Sequence, residues 1–289
     1  MGQTFRRITP QLVTLALVVL LVTVFFPNFL AIGFDGTRFV GPVVDVLKRS
    51  APVALLGVGM TLVIATRGID LSVGTVMAIS GAVAAWAITS GYGLAGAVGL
   101  AIGAGLLAGL WNGCLVAIVG IQPIVATLIL MTSGRGIAQL ITEGRILTFS
   151  DPNLAFAGSG SVLGIPFPTI LWIATAVVVA LLMRRTALGM LIEATGINRA
   201  ASALAGVNAT VLLIAVYMAS GFCASLAGIV ATADIRGADA NNAGLWLELD
   251  AILAVVVGGN SLLGGRFSIL GSLFGAIIIQ AVNTGVLTS

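Results

Sequence analysis

Four stretches break an otherwise apolar chain with side chains able to ionise or hydrogen-bond. The first, Arg67 to Gly74, puts a cation and an acid three residues apart between two apolar runs, with Gly68 and Gly74 around them. Arg67 and Asp70 could pair there, Asp70 could cap the helix that follows, or the segment could be a broken helix serving as a gate. The second joins Asn112, at the end of one apolar run, to Gln122 at the turn into the next, with Thr127 and Arg135 further on. Such amide, hydroxyl and guanidinium groups suit hydroxyl-rich solutes, and they equally suit bonds to neighbouring helices. The third, Arg184 to Asn208, is polar, Ala-rich and too broken to span a bilayer. The short helix expected within it leaves Leu191, Ile192 and Leu204 in need of a cover. In the fourth, Ala233 to Asp250, the acids Glu248 and Asp250 run straight into a short apolar segment that ends in Gly258 and Gly259. Short, Gly-interrupted apolar segments in matching positions of two halves mark transport pathways.

The elements that position these residues follow from composition. Of 289 residues, 59% are hydrophobic and 8% charged, whereas soluble domains carry about 25% charged residues. So few charges cannot cover a water-facing surface. The reading is an all-α polytopic membrane protein, because only helices or closed barrels satisfy their backbone in lipid. Apolar runs at 12–30, 51–66, 72–90, 93–119, 123–142, 166–183, 209–232, 246–260 and 268–287 give about nine spans. Residues 35–49, with five charges, read as a loop on the far side, partly interfacial helix.

With the amino end in the cytoplasm, alternation places Arg6, Arg7, Arg67, Arg184, Arg185, Arg199 and Arg266 inside. Arg38, Lys48, Arg49, Arg145 and Arg236 fall outside, a mild positive-inside bias. Gly105, Gly109 and Gly113 form a small-residue ridge suited to close helix packing; Gly99/Gly103 and Gly271/Gly275 repeat the interval.

What is missing narrows the chemistry. The chain has no His, which removes Ser-His-Asp catalysis and the commonest metal ligand. Its single Lys, Lys48, lies outside any phosphate-binding loop motif. No cofactor or metal is expected in this chain, and the net charge of +3 is too dispersed for nucleic acid. Cys114 and Cys223 lie in apolar runs and read as core thiols.

The stretches Gly59–Gly74, Asn112–Val116, Gln122–Leu128, Thr186–Asn208, Glu248–Gly259 and Ser261–Arg266 together resemble the permease subunits of bacterial ATP-binding-cassette sugar importers. The likeness is to the ribose/xylose/galactofuranose branch, related to branched-chain amino acid permeases. Ala51–Leu56 and Asp234–Asp250 resemble its galactofuranose members most.

The resemblance implies a type II importer permease fold of ten helices with inverted repeats, in one membrane domain of the bacterial inner membrane. The first helix would lie at 1–30, a first repeat at 50–165, the coupling segment at 184–208 and a second repeat at 209–289. The chain ends where family members continue into a further helix, so an incomplete second repeat is expected. A second permease subunit, cytoplasmic ATPases holding ATP and magnesium, and a periplasmic sugar-binding protein are the implied partners, with membrane lipid around them. Thr186, Gly189, Glu193, Gly196, Asn198, Arg199, Ala201 and Gly206 would contact the ATPase; Asn112, Gln122, Thr127 and Arg135 would line the sugar's path. Arg67, Asp70, Glu248 and Asp250 would form a gate or its turns. The alternative is a cation-coupled secondary sugar or amino acid transporter. It needs an acid or His at mid-depth, and span counting puts Asp70, Glu248 and Asp250 near span ends.

Overall fold

The computed structural model describes residues 2–25 and 28–287. Phe26 and Pro27, where the first apolar run was expected to end, and Thr288 and Ser289 at the carboxyl end lie outside the described residues, as do the side chains of Arg6 and Arg7. Apolar runs become helices as expected: α1 Gly2–Phe25, α2 Pro42–Ala65, α3 Val73–Thr89, α4 Gly93–Cys114, α5 Pro123–Thr142, α7 Phe167–Arg185, α10 Ala209–Ile235, α11 Leu247–Val257 and α12 Ile269–Leu287. Between them lie the short α6 Pro152–Ser159, α8 Leu188–Ile197 and α9 Arg199–Leu204, and three two-residue strand pairings. A π-turn, Leu115–Val119, extends α4. Among the described residues, five helices are long and apolar enough to cross a bilayer: α2, α4 with its extension, α5, α7 and α10.

α10 is the axis of the bundle, packed against α2, α3 and α4. Without a hydrophobic force between helices in lipid, contact depends on small residues that let backbones approach. Gly105, Gly109 and Gly113 on α4 meet the backbone of α10 at Gly221, Tyr217 and Ile214, so the expected ridge is real. Gly271 and Gly275 on α12 likewise abut Gly258 and Ala254 at and near the end of α11. Gly99 and Gly103 do not follow the pattern: a side chain at either would meet open space. They lie a third of a turn round from the packed face, on the side of α4 turned away from α10. Cys223 is buried and Cys114 half-buried, both as free thiols.

The expected loop at 35–49 is corrected from residue 42 onward. Pro42 starts α2, and its fixed φ suits a first helical turn. Asp45, Lys48 and Arg49 therefore lie on the helix, and Lys48 Nζ is 2.7 Å from Asp234 Oδ1 at the far end of α10. A charged sequence read as loop is thus a helix end whose charges face water and a neighbouring helix.

The packing analysis gives a paired test. Gly109→Leu should destabilise the purified protein by about 1–3 kcal/mol, the cost of overpacking a close contact, whereas Gly99→Leu should leave melting in detergent unchanged. Equal melting of both variants would contradict the packed ridge.

Candidate functional site

The bundle is interrupted twice, and the two interruptions are built alike. After α2 comes Arg67 in the left-handed region (φ 64), a non-helical stretch to Ser72, and then the short α3. After α10 comes Arg236, also left-handed (φ 53), a mainly non-helical stretch to Trp246, and then the shorter α11. A left-handed conformation disfavours an L-residue by about 1–2 kcal/mol, so both helix ends are held there by their surroundings. α2 and α10 run antiparallel, since Lys48 pairs with Asp234 at one end while Gly59 packs on Ser220. The two breaks therefore enter the bundle from opposite sides, and α3 and α11 run away from each other. Their starts meet where the backbones of Gly74 and Gly244 touch.

Backbone groups in such breaks cannot face lipid; they need protein partners. α5 supplies several. Leu71 N donates to Thr127 Oγ1 at 3.1 Å, and Thr75 Oγ1 donates to Met131 O at 3.0 Å. Two turns further along α5, Arg135 Nη1 donates to Ala240 O at 3.0 Å and Ala243 O at 2.6 Å. One helix thus ties down both breaks.

Asp70 lies at the heart of the first break, only 2% exposed. It makes no pair with Arg67. Its Oδ1 accepts from Ser72 N (3.1 Å) and Ser72 Oγ (2.6 Å), and its Oδ2 accepts from Ser220 Oγ at 2.9 Å. Asn112 Nδ2 donates to Ser72 Oγ at 2.8 Å and completes the cluster. These bonds turn the chain tightly ahead of α3, while the α3 N-cap residue, Ser72, makes no side-chain cap bond. Ser220 lies ~16 Å along α10 from its start, at 1.5 Å per residue, close to the middle of that helix. The placement of Asp70 near a span end is therefore wrong. Counting along the sequence treated 66–72 as a surface turn, whereas it descends into the bundle. Glu248 is also internal, 3% exposed in the first turn of α11 beside Gly74; Asp250, next on that helix, is half-buried.

Arg67 turns the other way. Its Nε donates to Leu263 O and its Nη2 to Ile197 O, both at 2.8 Å. Gly265 N donates to Ala65 O at 2.9 Å, and Gly196 packs directly against Ala65 and Gly265. Residues 65–67, the end of α8 and the 258–268 loop therefore form one joint.

The 184–208 segment folds as two helices rather than one. Thr186 closes the end of α7 and its Oγ1 accepts from Leu188 N at 3.3 Å; Gly189 packs against Met183. Asn198 caps α9 by accepting from Ala201 N at 3.0 Å, and Gly206 takes a left-handed turn (φ 87) into α10. Ile192 is buried and Leu191 half-buried by the bundle itself, so they need no outside partner. The uncovered apolar groups are Leu188, Met190, Ile197 and Leu204, the last 92% exposed. Glu193 is half-buried and Arg199 exposed on the same segment.

Of the residues proposed for the sugar's path, Asn112, Thr127 and Arg135 are bonded to the two breaks, while Gln122 is exposed and lines a cavity with Arg67, Arg199 and Tyr217. Sequence reasoning passed over Ser72, Ser220 and Tyr217. Ser220 and Tyr217 sit inside the apolar run of α10, where nothing local distinguishes them from packing residues.

The sequence profile of the family described as the branched-chain amino acid transport system permease component matches residues 43–288. The chain belongs to this family. It is 58% identical over 280 residues to the galactofuranose transporter permease of Escherichia coli K12, covering 97% of this chain and 82% of that protein. It is 42% identical over 288 residues to the fructose import permease of Bifidobacterium longum, covering 98% and 81%. Identity to the ribose import permease of Haemophilus influenzae is 38% over 280 residues, covering 95% and 83%. No solved structure matches the chain. The permease is thus a multi-pass membrane protein, and the paired breaks are features of a transporter.

Arg135→Ala should release the carbonyls of Ala240 and Ala243. We expect a loss of about 1–3 kcal/mol, the cost of unsatisfied buried polar groups, with faster amide exchange confined to 236–246. Exchange that stays unchanged there would contradict the tie.

Proposed function

We propose that this chain is the permease subunit of an ATP-binding-cassette importer that carries a monosaccharide, galactofuranose or a close relative such as galactose, across the bacterial inner membrane. The observation that carries this reading is the likeness to three sugar import permeases along almost the whole chain, strongest to the galactofuranose one. The nine expected crossings correspond to the five full-length helices together with α1, α3, α11 and α12, arranged as two inverted units that begin with α2 and α10. A second permease subunit completes the channel, and separate ATPase subunits bind ATP and magnesium. A periplasmic binding protein docks at the end of the bundle carrying α6 and residues 233–242. This chain performs no covalent chemistry.

The ATPase grips α8 and α9 through Met190, Ile197 and Leu204, with Thr186, Glu193, Asn198, Arg199 and Ala201 close by. Closure of the ATPases pushes this segment. Because Gly196 rests on Ala65 and Gly265, and Arg67 bonds to both Ile197 and Leu263, the push reaches the first break and the loop after α11, and the contact of Gly74 with Gly244 passes it to the second break. The breaks move as a body, and Asp70, Glu248 and Asp250 hold or release the gate. The sugar follows a polar path past Asn112, Gln122, Thr127 and Arg135. Asp70 at mid-height is the one observation that favours a cation-coupled mode, yet each of its oxygens already accepts from a serine.

Proteoliposomes holding the permease with its ATPase and binding protein should take up labelled galactofuranose only with ATP. Uptake driven by a sodium or proton gradient without the ATPase would favour the cation-coupled carrier instead. In the same assembly, Arg67→Ala and Gly196→Leu should leave insertion intact and cut uptake at least tenfold while ATP is still hydrolysed. Normal uptake in both variants would contradict the joint.

A further inference from the structure

Between the joint and the start of α5 lies a cavity of about 280 Å3, lined by Arg67, Gln122, Thr195, Arg199 and Tyr217 among others. Its size suits a small ligand. Three features give it one electrostatic sign. Two guanidiniums, Arg67 and Arg199, border it, and no carboxylate lines it. The amino end of α5, a helix of 20 residues, opens onto it at Gln122 and Pro123, without a side-chain cap. A helix start carries about half a positive charge and unpaired N–H groups. Finally, Tyr217 is fully buried and Thr195 is 4% exposed, and neither hydroxyl has a hydrogen-bond partner. Buried hydroxyls without partners are rare in folded proteins and point to a ligand or a water.

We infer that this cavity is a binding site for a small phosphate monoester, of the class of a sugar phosphate. Arg67 and Arg199 would hold the phosphoryl oxygens, the α5 start would add the positive end of its dipole, and Tyr217 and Thr195 would donate to oxygens of the ester. The walls come from three elements: the end of α2 and the α8–α9 segment, which the joint moves together, and the turn into α5, against which they must shift. A ligand bonded to all three holds α8–α9 against the bundle and slows import. The consequence is feedback by a phosphorylated sugar, the product of a kinase reaction acting on the imported cargo. The regulatory half rests on the coupling role proposed above; the site itself does not.

The test begins with the purified permease alone in phosphatidylcholine nanodiscs, titrated calorimetrically with inorganic phosphate, glucose 6-phosphate and glucose. Saturable binding of both phosphates and none of glucose is expected. Tyr217→Phe should keep the fold and weaken glucose 6-phosphate at least tenfold, since it removes a donor to a charged group; Arg199→Gln should weaken both phosphates. Absence of saturable phosphate binding, glucose binding as tight as its phosphate, or unchanged affinity in both variants would overturn the site. In phosphatidylglycerol nanodiscs, lipid that glucose 6-phosphate cannot displace would assign the cavity to a headgroup and also overturn it. In the assembled importer, glucose 6-phosphate should lower ATP-driven uptake in the parent and at least tenfold less potently in Tyr217→Phe. Uptake indifferent to it despite confirmed binding would overturn the regulatory half alone.

Discussion

Backbone N–H and C=O groups cannot be left unpaired in hydrocarbon, and this permease interrupts its helices twice within the bundle. Everything distinctive in the fold follows from meeting that demand. An unsatisfied buried polar group costs about 1–3 kcal/mol, and the two breaks contain many. They are served by a few side chains placed for the purpose: Thr127 and Arg135 on α5, and Asp70 with Ser72, Ser220 and Asn112 around it. Asp70 illustrates the economy of the arrangement. One buried carboxyl bonds the break to itself through Ser72 and to the central helix through Ser220.

The glycines complete the design. Where the starts of α3 and α11 converge, Gly74 and Gly244 let two backbones touch, and no larger side chain would fit. The same device lets Gly196 rest on Ala65, so the segment outside the bundle has no slack against the break inside it. A short push is then transmitted as displacement instead of being absorbed by side-chain rearrangement, because close-packed interiors yield little. This is how a chain without chemistry of its own can be worked by a separate motor.

Much of this was legible in the sequence. The apolar runs located seven helices to within a few residues, all but α1 and α2, since bilayer thickness and backbone satisfaction leave little choice. Gly105, Gly109 and Gly113 announced a close contact, and the short run after Glu248 announced a half-helix. The failures share a cause. Span counting measures distance along the chain, so Asp70 was placed near a surface; its depth is set by Ser220, 150 residues away. Ile192 was expected to need a partner, although the bundle covers it, and Gly99 was expected to pack where nothing lies opposite. The start of α2 was hidden because its charges resemble a loop until Asp234 is brought to Lys48. Periodicity shows which face is apolar; only the tertiary fold shows what covers it.

The central claim is that α8–α9 and the two breaks move as one body through the joint at Arg67. Pulsed electron resonance between spin labels at Leu204 and Leu263, both exposed, would read the joint across the ATP cycle; a second pair at Leu204 and Leu163, on a hairpin at the opposite end, would read the motion itself. The account predicts a constant distance for the first pair and a changing one for the second. A first-pair distance that shifts on ATP binding while the second stays fixed would contradict it.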